Sequence, residues 1–283
     1  MTNQPRQNAQ ADGNGVPSSA SPIGVFDSGI GGLTVVRELM RQLPSESIIY
    51  FGDTARVPYG PKSPDTVLRY SREITAFLRQ QGVKAIVVAC NTATAHALPA
   101  LKAENDLPVV GVIEPGSRAA TRATRTGHVG VIGTQGTINS RAYERAIHSV
   151  APDTSITALP CPLFVPLVEE GWLDTEATRL IAREYLQPMV EAGVDTLVLG
   201  CTHYPLLKPV IGTVVGREVR LIDSAAETAA ETGAVLRESG LEHVAANDAR
   251  YRFIASDAPE QFLRVGQRFL GASIDRVETV TLG

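Results

Sequence analysis

Short apolar runs alternate with longer amphipathic stretches along the chain from Ile23 onward. The runs are rich in β-branched residues, whereas a stretch such as Ser63–Gln81 places its apolar residues on one face of a helix. This alternation is typical of βα units around a parallel sheet. The predicted strands are Ile23–Asp27, Ile48–Gly52, Ala85–Ala89, Val109–Val112, Val129–Gly133, Ile156–Leu159, Thr196–Gly200 and Arg220–Asp223.

The pattern starts again near His128. The segment Val129–Thr134 resembles Ile23–Ser28, and a similar length of chain leads from these segments to Cys201 and Cys90, respectively. This repetition predicts two related halves with one cysteine each. The expected fold class is α/β, with two pseudo-symmetric doubly wound α/β domains, mainly parallel sheets, and the active site in the cleft between the domains.

Turn signals and composition predict the domain boundaries. Residues 1–21 are rich in Gln, Asn, Ser, Ala, Gly and Pro and have no apolar stretch, so we expect a disordered tail. Breaks near Glu114 and Ser224 predict a discontinuous first domain, residues 22–114 plus 225–283, and a second domain, residues 115–224.

The last part of the chain is predicted to return to the first domain. Its predicted elements are a helix near Ala225–Arg237, the segments Tyr251–Ala255 and Glu260–Phe269, and a β-like stretch Ile274–Leu282.

Composition fits an ordinary soluble protein of enzyme size. Of 283 residues, 43% are hydrophobic and 20% are charged, with a formal net charge of −4. The negative balance argues against nucleic acid as the main partner. No apolar run reaches the roughly 18 residues of a membrane span, and the N-terminus lacks the features of a secretory signal. We therefore predict a cytoplasmic location without a membrane partner.

The three cysteines are expected to be free thiols in a reducing compartment. Cys90 and Cys201 each follow a predicted buried strand and precede small polar residues, a position that suits a reactive thiol because a helix N-terminus favours the thiolate. Two such thiols could face one substrate from opposite sides. The alternative for either cysteine alone is a small buried hydrophobe. Cys161 lacks a polar loop after it and is interpreted as packing.

Other side chains near predicted strand ends are candidates for binding or proton transfer. Asp27 ends the first strand, where it would bind an ammonium group, assist a base or cap a helix. His203 either exchanges a proton with a catalytic group or lies at a helix opening or on the surface. Tyr59 and Gly60 offer a hydroxyl and backbone donors to a carboxylate, or form only a turn. Glu169 ends an apolar stretch and faces the cleft or is solvated.

No cofactor is predicted. The loop after Asp27 fails as a dinucleotide motif because Thr34 stands where a glycine or alanine is needed. No lysine has an evident Schiff-base context, which argues against pyridoxal phosphate. Cys201 and His203 have no second pair at metal-ligand spacing, which argues against a metal.

With these motifs assembled, the chain resembles the glutamate racemases of the cofactor-independent aspartate/glutamate racemase superfamily. The matching segments occur in order within residues 22–238, and their combination is specific. They are Gly24–Gly32, Pro58–Gly60, Ala89–Ala93, Phe164–Glu169 and Gly200–Pro205.

The resemblance implies interconversion of L- and D-glutamate by two bases, without metal or organic cofactor, to supply D-glutamate for peptidoglycan. Cys90 would deprotonate the α-carbon of D-glutamate, and Cys201 that of L-glutamate. Asp27 would assist Cys90, and His203 would assist Cys201, with Glu169 nearby. The substrate's ammonium and carboxylates would be held by Asp27, Ser28, Tyr59, Gly60, Asn91, Thr92, Thr202 and His203. A homodimer is the expected assembly.

Three alternatives remain at this point. An aspartate racemase or another superfamily member would share most of these motifs. A cysteine hydrolase would use one thiol as nucleophile and leave the second without a role. A non-catalytic amino-acid-binding protein would bind in the same cleft without exchanging the α-hydrogen.

Overall fold

The computed structural model describes residues 17–245 and 249–282. Residues 1–16, most of the predicted disordered tail, lie outside the described residues. Within the remainder of that segment, the carbonyl of Ser19 accepts a hydrogen bond from the side chain of Lys84.

Ten strands form in the described residues, and the eight predicted first are all present with ends shifted by one residue at most. They are β1 Ile23–Asp27, β2 Ile48–Gly52, β3 Ala85–Val88, β4 Val109–Gly111, β5 His128–Gly133, β6 Ser155–Pro160, β7 Thr196–Gly200, β8 Arg220–Asp223, β9 Tyr251–Ala255 and β10 Glu278–Thr279.

Helices connect the strands. The predicted Ser63–Gln81 helix spans Pro64–Gln80, because the Ser63 side chain accepts from Thr66 N and caps it, with proline at the first helical position. The α-helices are α1 Leu33–Gln42, α2 Pro64–Gln80, α3 Asn91–Glu104, α4 Ile113–Ala123, α5 Gln135–Asn139, α6 Ala142–Val150, α7 Phe164–Glu169, α8 Glu176–Glu191, α9 Lys208–Val215, α10 Ser224–Glu238 and α11 Pro259–Leu270.

The strands form two sheets, in which every pairing is parallel. The six-stranded sheet has the order β10-β9-β2-β1-β3-β4, and the four-stranded sheet has the order β6-β5-β7-β8. Both sheets therefore contain the same arrangement of their first four strands, second-first-third-fourth. This is the doubly wound, two-half α/β fold expected from the repeated sequence pattern. The division of the chain into domains at residues 114 and 224 stays a prediction.

The common strand order places a switch point in each sheet. The chain winds outward in opposite directions from β1 and β3 in the first sheet, and from β5 and β7 in the second. In open α/β sheets the crevice beyond the carboxyl ends of such strands is the usual ligand site. Cys90 follows β3 closely and Cys201 follows β7 directly, so the topology places both thiols at switch points.

Helices α4 and α10 join the two halves. Helix α10 packs between α1 and α4, and Leu33, Ala120 and Leu236 from these three helices belong to one continuous apolar core. Ion pairs Arg118–Glu231 and Arg122–Glu227, each 2.7 Å long, bridge α4 and α10 at the surface.

The final β-like stretch Ile274–Leu282 is shorter than predicted. Only Glu278–Thr279 forms a strand, at the edge of the sheet beside Ile254 and Ala255. Ile274 is buried in the core, whereas the other residues of this segment are partly or fully exposed. Within residues 17–245 and 249–282, no helix has the length and apolarity that a membrane crossing needs.

Candidate active site

A small cavity of about 40 Å³ lies between the carboxyl edges of the two sheets, and both predicted thiols line it. Cys90 and Cys201 are 5% and 6% exposed, so both are nearly enclosed. Nine of the sequence-predicted site residues line this cavity, whereas Asp27 and Glu169 do not. The lining residues are Ser28, Val57, Pro58, Tyr59, Gly60, Cys90, Asn91, Thr92, Thr134, Val165, Cys201, Thr202 and His203.

Cys90 occupies the N-terminal cap of α3. Its Sγ accepts from Ala93 N at 3.4 Å and lies 3.5 Å from Ser28 Oγ. Burial, and then the charge of Asp27, raise the pKa of this thiol to about 12. These two effects outweigh the helix N-terminus, so the expectation that this position favours the thiolate is not met at Cys90. The structure favours a protonated Cys90.

Asp27 lies buried behind the cavity wall at the end of β1. One carboxylate oxygen accepts from Gly29 N at 3.1 Å, and the other has no hydrogen-bond partner among the described residues. Burial raises the pKa of Asp27, and the charge of His203 opposes that rise. The side chain thus acts on Cys90 through its charge.

Cys201 has a different environment from Cys90. The predicted helix opening is absent, because the chain bends after Cys201 and enters a short 3₁₀ helix at Tyr204–Leu207. His203 Nδ1 lies 3.8 Å from the Cys201 sulfur, so a side chain takes the place that a helix N-terminus was expected to fill.

His203 bridges Cys201 and Glu169. Its Nε2 lies 3.0 Å from Glu169 Oε1, and Glu169 ends α7 outside the cavity lining. Burial alone lowers the pKa of His203, but its bonds to Cys201 and Glu169 raise the pKa to about 10. A protonated His203 puts a positive charge beside the Cys201 sulfur, where it stabilises a thiolate.

The glycine loop after β1 brings the two halves into contact. A Cβ on Gly31 would lie only 2.5 Å from His203 Nδ1 and closer still to Thr202 Oγ1. Thr34 Oγ1 also reaches the carbonyl of Thr202 at 3.4 Å. The lack of a side chain at position 31 therefore permits this loop to contact the Cys201 loop.

The Tyr59 hydroxyl, a sequence candidate for binding a substrate carboxylate, is paired with another side chain of the protein. It donates to the carboxylate of Asp53, which is fully buried and also accepts from Arg56 and Ser256. Sequence reasoning missed Asp53, although a carboxylate directly after a buried strand was a usable signal. The neighbouring Gly60 carbonyl accepts from Gly136 N at 2.9 Å, which ties this loop to the second half.

Asn91 and Thr92 also contact the second half. Thr92 Oγ1 lies 2.8 Å from Thr134 Oγ1 and 3.2 Å from Thr137 Oγ1, so its hydroxyl is already paired. The Tyr143 hydroxyl donates to Asn91 Oδ1 at 2.7 Å. Neither Thr134 nor Tyr143 was a sequence candidate, because nothing local in the sequence connects them with residues 91 and 92.

Cys161 lies outside the cavity lining. It is fully buried, and burial together with the neighbouring Cys201 raises its pKa to about 12. This environment agrees with its interpretation as a packing residue.

Comparison with known proteins identifies the family. The Asp/Glu/Hydantoin racemase family model matches residues 23–232. A glutamate racemase from Geobacter metallireducens is 56% identical over 260 residues, which cover 92% of this chain and 96% of that protein.

Two solved structures have the same fold. A glutamate racemase from Bacillus anthracis is 44% identical, with a TM-score of 0.89, 93% of this chain covered and 98% of that one. A glutamate racemase from Francisella tularensis, solved in complex with D-glutamate, is 40% identical, with a TM-score of 0.87 and the same coverage. The chain therefore belongs to the Asp/Glu/Hydantoin racemase family.

Proposed function

We propose that this protein is a glutamate racemase, which interconverts L- and D-glutamate by removing the α-proton on one face and returning a proton on the other. The observation that carries the proposal is the pair of thiols, which come from equivalent positions of two sheets and line one cavity. The high identity with glutamate racemases supports glutamate as the substrate.

The charges beside the thiols assign a starting state to each. Inversion through a planar carbanion needs one ionised and one protonated group. We assign the role of base toward L-glutamate to Cys201, which lies beside protonated His203, and the role of proton donor to Cys90, whose pKa is raised by burial and by Asp27. This form of the enzyme accepts L-glutamate.

Proton transfer then runs from one thiol to the other. The Cα–H bond of L-glutamate breaks as Cys201 gains an S–H bond, and the electron pair stays on the α-carbon. The Cys90 S–H bond breaks as its proton joins the opposite face. The products are D-glutamate, a Cys201 thiol and a Cys90 thiolate, which is the form that runs the reaction backward.

Polar groups in the cavity stabilise the developing charge. Ser28, Thr202 and the buried amide of Asn91 lie beside the thiols and supply hydrogen-bond donors. In a nearly enclosed cavity such fixed donors stabilise charge on the α-carboxylate more strongly than water does.

The family relationship supports a cellular role and an assembly. We propose that the D-glutamate supplies peptidoglycan synthesis in the cytoplasm and that the protein works as a homodimer. Trp172 and Leu180, two large side chains more than half exposed, offer apolar surface to a second copy. Light scattering after size exclusion tests the dimer: a mass near 30.1 kDa contradicts it, and twice that mass supports it.

The test of the reaction is incubation with L-glutamate in D₂O without added cofactor. Optical rotation and loss of the α-hydrogen signal are followed for wild type, Cys90→Ala, Cys201→Ala and the control Cys161→Ala. Racemisation with α-deuteration in wild type and Cys161→Ala, and its loss in the other two variants, supports the proposal.

Other outcomes point elsewhere. Aspartate turned over faster than glutamate would favour an aspartate racemase. Activity retained in one of the two cysteine variants would favour a hydrolase-like use of a single thiol. Binding without exchange in wild type would indicate an amino-acid-binding protein.

A further inference from the structure

Tyr143 lies between the two thiol-bearing edges and contacts both. It is 2% exposed on α6, and its hydroxyl donates at 2.7 Å to Asn91, the residue after Cys90. Its ring lies against Gly200, the residue before Cys201, so closely that a Cβ on Gly200 would be 3.0 Å from Tyr143 Cε2. This side chain therefore fixes the spacing of the two edges.

The Asn91 amide has one paired end and one unpaired end. Tyr143 occupies Oδ1, whereas Nδ2 is buried and has no hydrogen-bond partner among the described residues. Asn91 lines the cavity. Leaving a buried donor unpaired is unfavourable, and a ligand acceptor at this position would remove that cost.

The Tyr143 phenol is the donor in its hydrogen bond to Asn91 Oδ1. The neighbouring Ser224 side chain lowers the pKa of this phenol, but burial outweighs that effect and raises the pKa, so Tyr143 keeps its proton. Reversing the Asn91 amide would break the hydrogen bond from Tyr143 to Oδ1.

We infer that Tyr143 is a positioning residue that presents the Asn91 amide nitrogen, and not its oxygen, to a carboxylate of the substrate. The identity of that substrate rests on the proposed racemisation of glutamate. With the amide reversed, a carbonyl oxygen would face an anion and no donor would be available.

Tyr143→Phe tests the inference, because it keeps the ring against Gly200 and removes only the hydroxyl. We expect KM for L- and D-glutamate to rise about tenfold, the effect of one lost hydrogen bond, with kcat within about twofold. In an Asn91→Ala background, Tyr143→Phe changes neither constant more than about twofold, because its effect passes through the amide.

Tyr185→Phe is the matched control. The Tyr185 hydroxyl accepts from Leu163 N at 3.3 Å outside the cavity lining, so wild-type constants are expected. An unchanged KM in Tyr143→Phe, or equal effects in the wild-type and Asn91→Ala backgrounds, would overturn the inference. Asn91→Leu, which has a similar size and no acceptor for Tyr143, serves as the background if Asn91→Ala does not fold.

A second readout needs no turnover. The ¹⁵N–¹H signals of the Asn91 side-chain amide are assigned by their absence in the Asn91 variants. In Tyr143→Phe we expect these signals to shift and broaden as the amide gains freedom, and unchanged signals would overturn the inference. Lack of racemisation by wild type would contradict the proposed function alone, since the amide signals still decide the role of Tyr143.

Discussion

Two chemically identical thiols lie beside groups of opposite charge. Asp27 adds negative charge near Cys90, and His203 adds positive charge near Cys201. A neutral thiol and a thiolate can therefore coexist a short distance apart. This difference follows from two neighbouring side chains and not from the cysteines themselves.

The raised pKa of His203 predicts a pH-dependent stability. Since its pKa rises from an ordinary 6.5 to about 10, folding takes up a proton at this side chain above pH 6.5. The stabilisation is fully present below pH 6.5 and is lost as pH rises through about 10. Urea unfolding of wild type and His203→Gln at several pH values should show a difference in unfolding free energy that narrows over this window.

Glu169→Gln provides the control for that measurement. Without the carboxylate, the pKa of His203 falls, so the loss of stability should begin at lower pH than in wild type. A difference between wild type and His203→Gln that stays constant across the window would contradict the assignment.

The Asp53 network predicts that Tyr59 contributes to stability more than to substrate contact. Tyr59→Phe should lower the unfolding free energy by about 1 kcal/mol and change KM for glutamate less than about threefold. Asp53→Asn should cost more, about 2–4 kcal/mol, because an amide cannot accept from Tyr59, Arg56 and Ser256 together. A tenfold rise in KM for Tyr59→Phe at unchanged stability would place the hydroxyl on the substrate instead.

At the scale of elements, the loop between β1 and α1 is part of both halves. It begins at Asp27, which acts on Cys90, and its Gly31 lies against Thr202 and His203. A substitution in this loop is therefore expected to alter the environment of both thiols.

Gly31→Ala should reduce racemisation at least tenfold while the protein stays folded. The added Cβ overlaps Thr202 and His203, so the Cys201 loop must move. Gly212→Ala is the control, because its Cβ would meet only Leu221 at 3.8 Å within α9. Racemisation rates of both variants are measured, and circular dichroism checks that both are folded. Full racemisation activity in Gly31→Ala would contradict the prediction, because it would show that the Cys201 loop can move without loss of activity.

The strands and both thiols were predictable because buried parallel strands produce continuous apolar runs, whose ends are visible in sequence. The side chains that orient the site residues could not be predicted from the sequence. Asp53 and Tyr143 act on Tyr59 and Asn91 through contacts that only the packing of the two halves creates. The raised pKa of Cys90 was not predictable either, because burial cannot be measured from the residues beside it in the sequence.

At the scale of the whole molecule, the carboxyl and amino edges of the first sheet contribute to different properties, the first to the site and the second to stability. The carboxyl edge forms the cavity. At the amino edge, fully buried Lys84 pairs with Glu46 at 2.5 Å, and Glu46 also accepts from His243 N. This pair anchors the starts of β2 and β3, far from the cavity.

Lys84→Met should destabilise the fold by about 3–5 kcal/mol, because it leaves Glu46 buried and unpaired. Adding Glu46→Leu should recover most of that loss. In contrast, Arg72→Ala, which breaks the exposed Arg72–Glu104 pair, should leave the melting temperature unchanged. The test is thermal unfolding of wild type, Lys84→Met, the Lys84→Met/Glu46→Leu double variant and Arg72→Ala. A melting temperature of Lys84→Met equal to that of wild type would contradict the anchoring role.

The equivalent positions in the two sheets hold unlike groups: Asp27 ends β1, whereas Gly133 ends β5. Enantiomers have equal free energies in water, so their equilibrium constant is one and kcat/KM must be the same in both directions. His203→Gln must therefore lower kcat/KM for D-glutamate as much as for L-glutamate, although His203 adjoins only Cys201. The unlike surroundings of the thiols can make kcat and KM differ between the two directions, but the ratio kcat/KM stays equal in both.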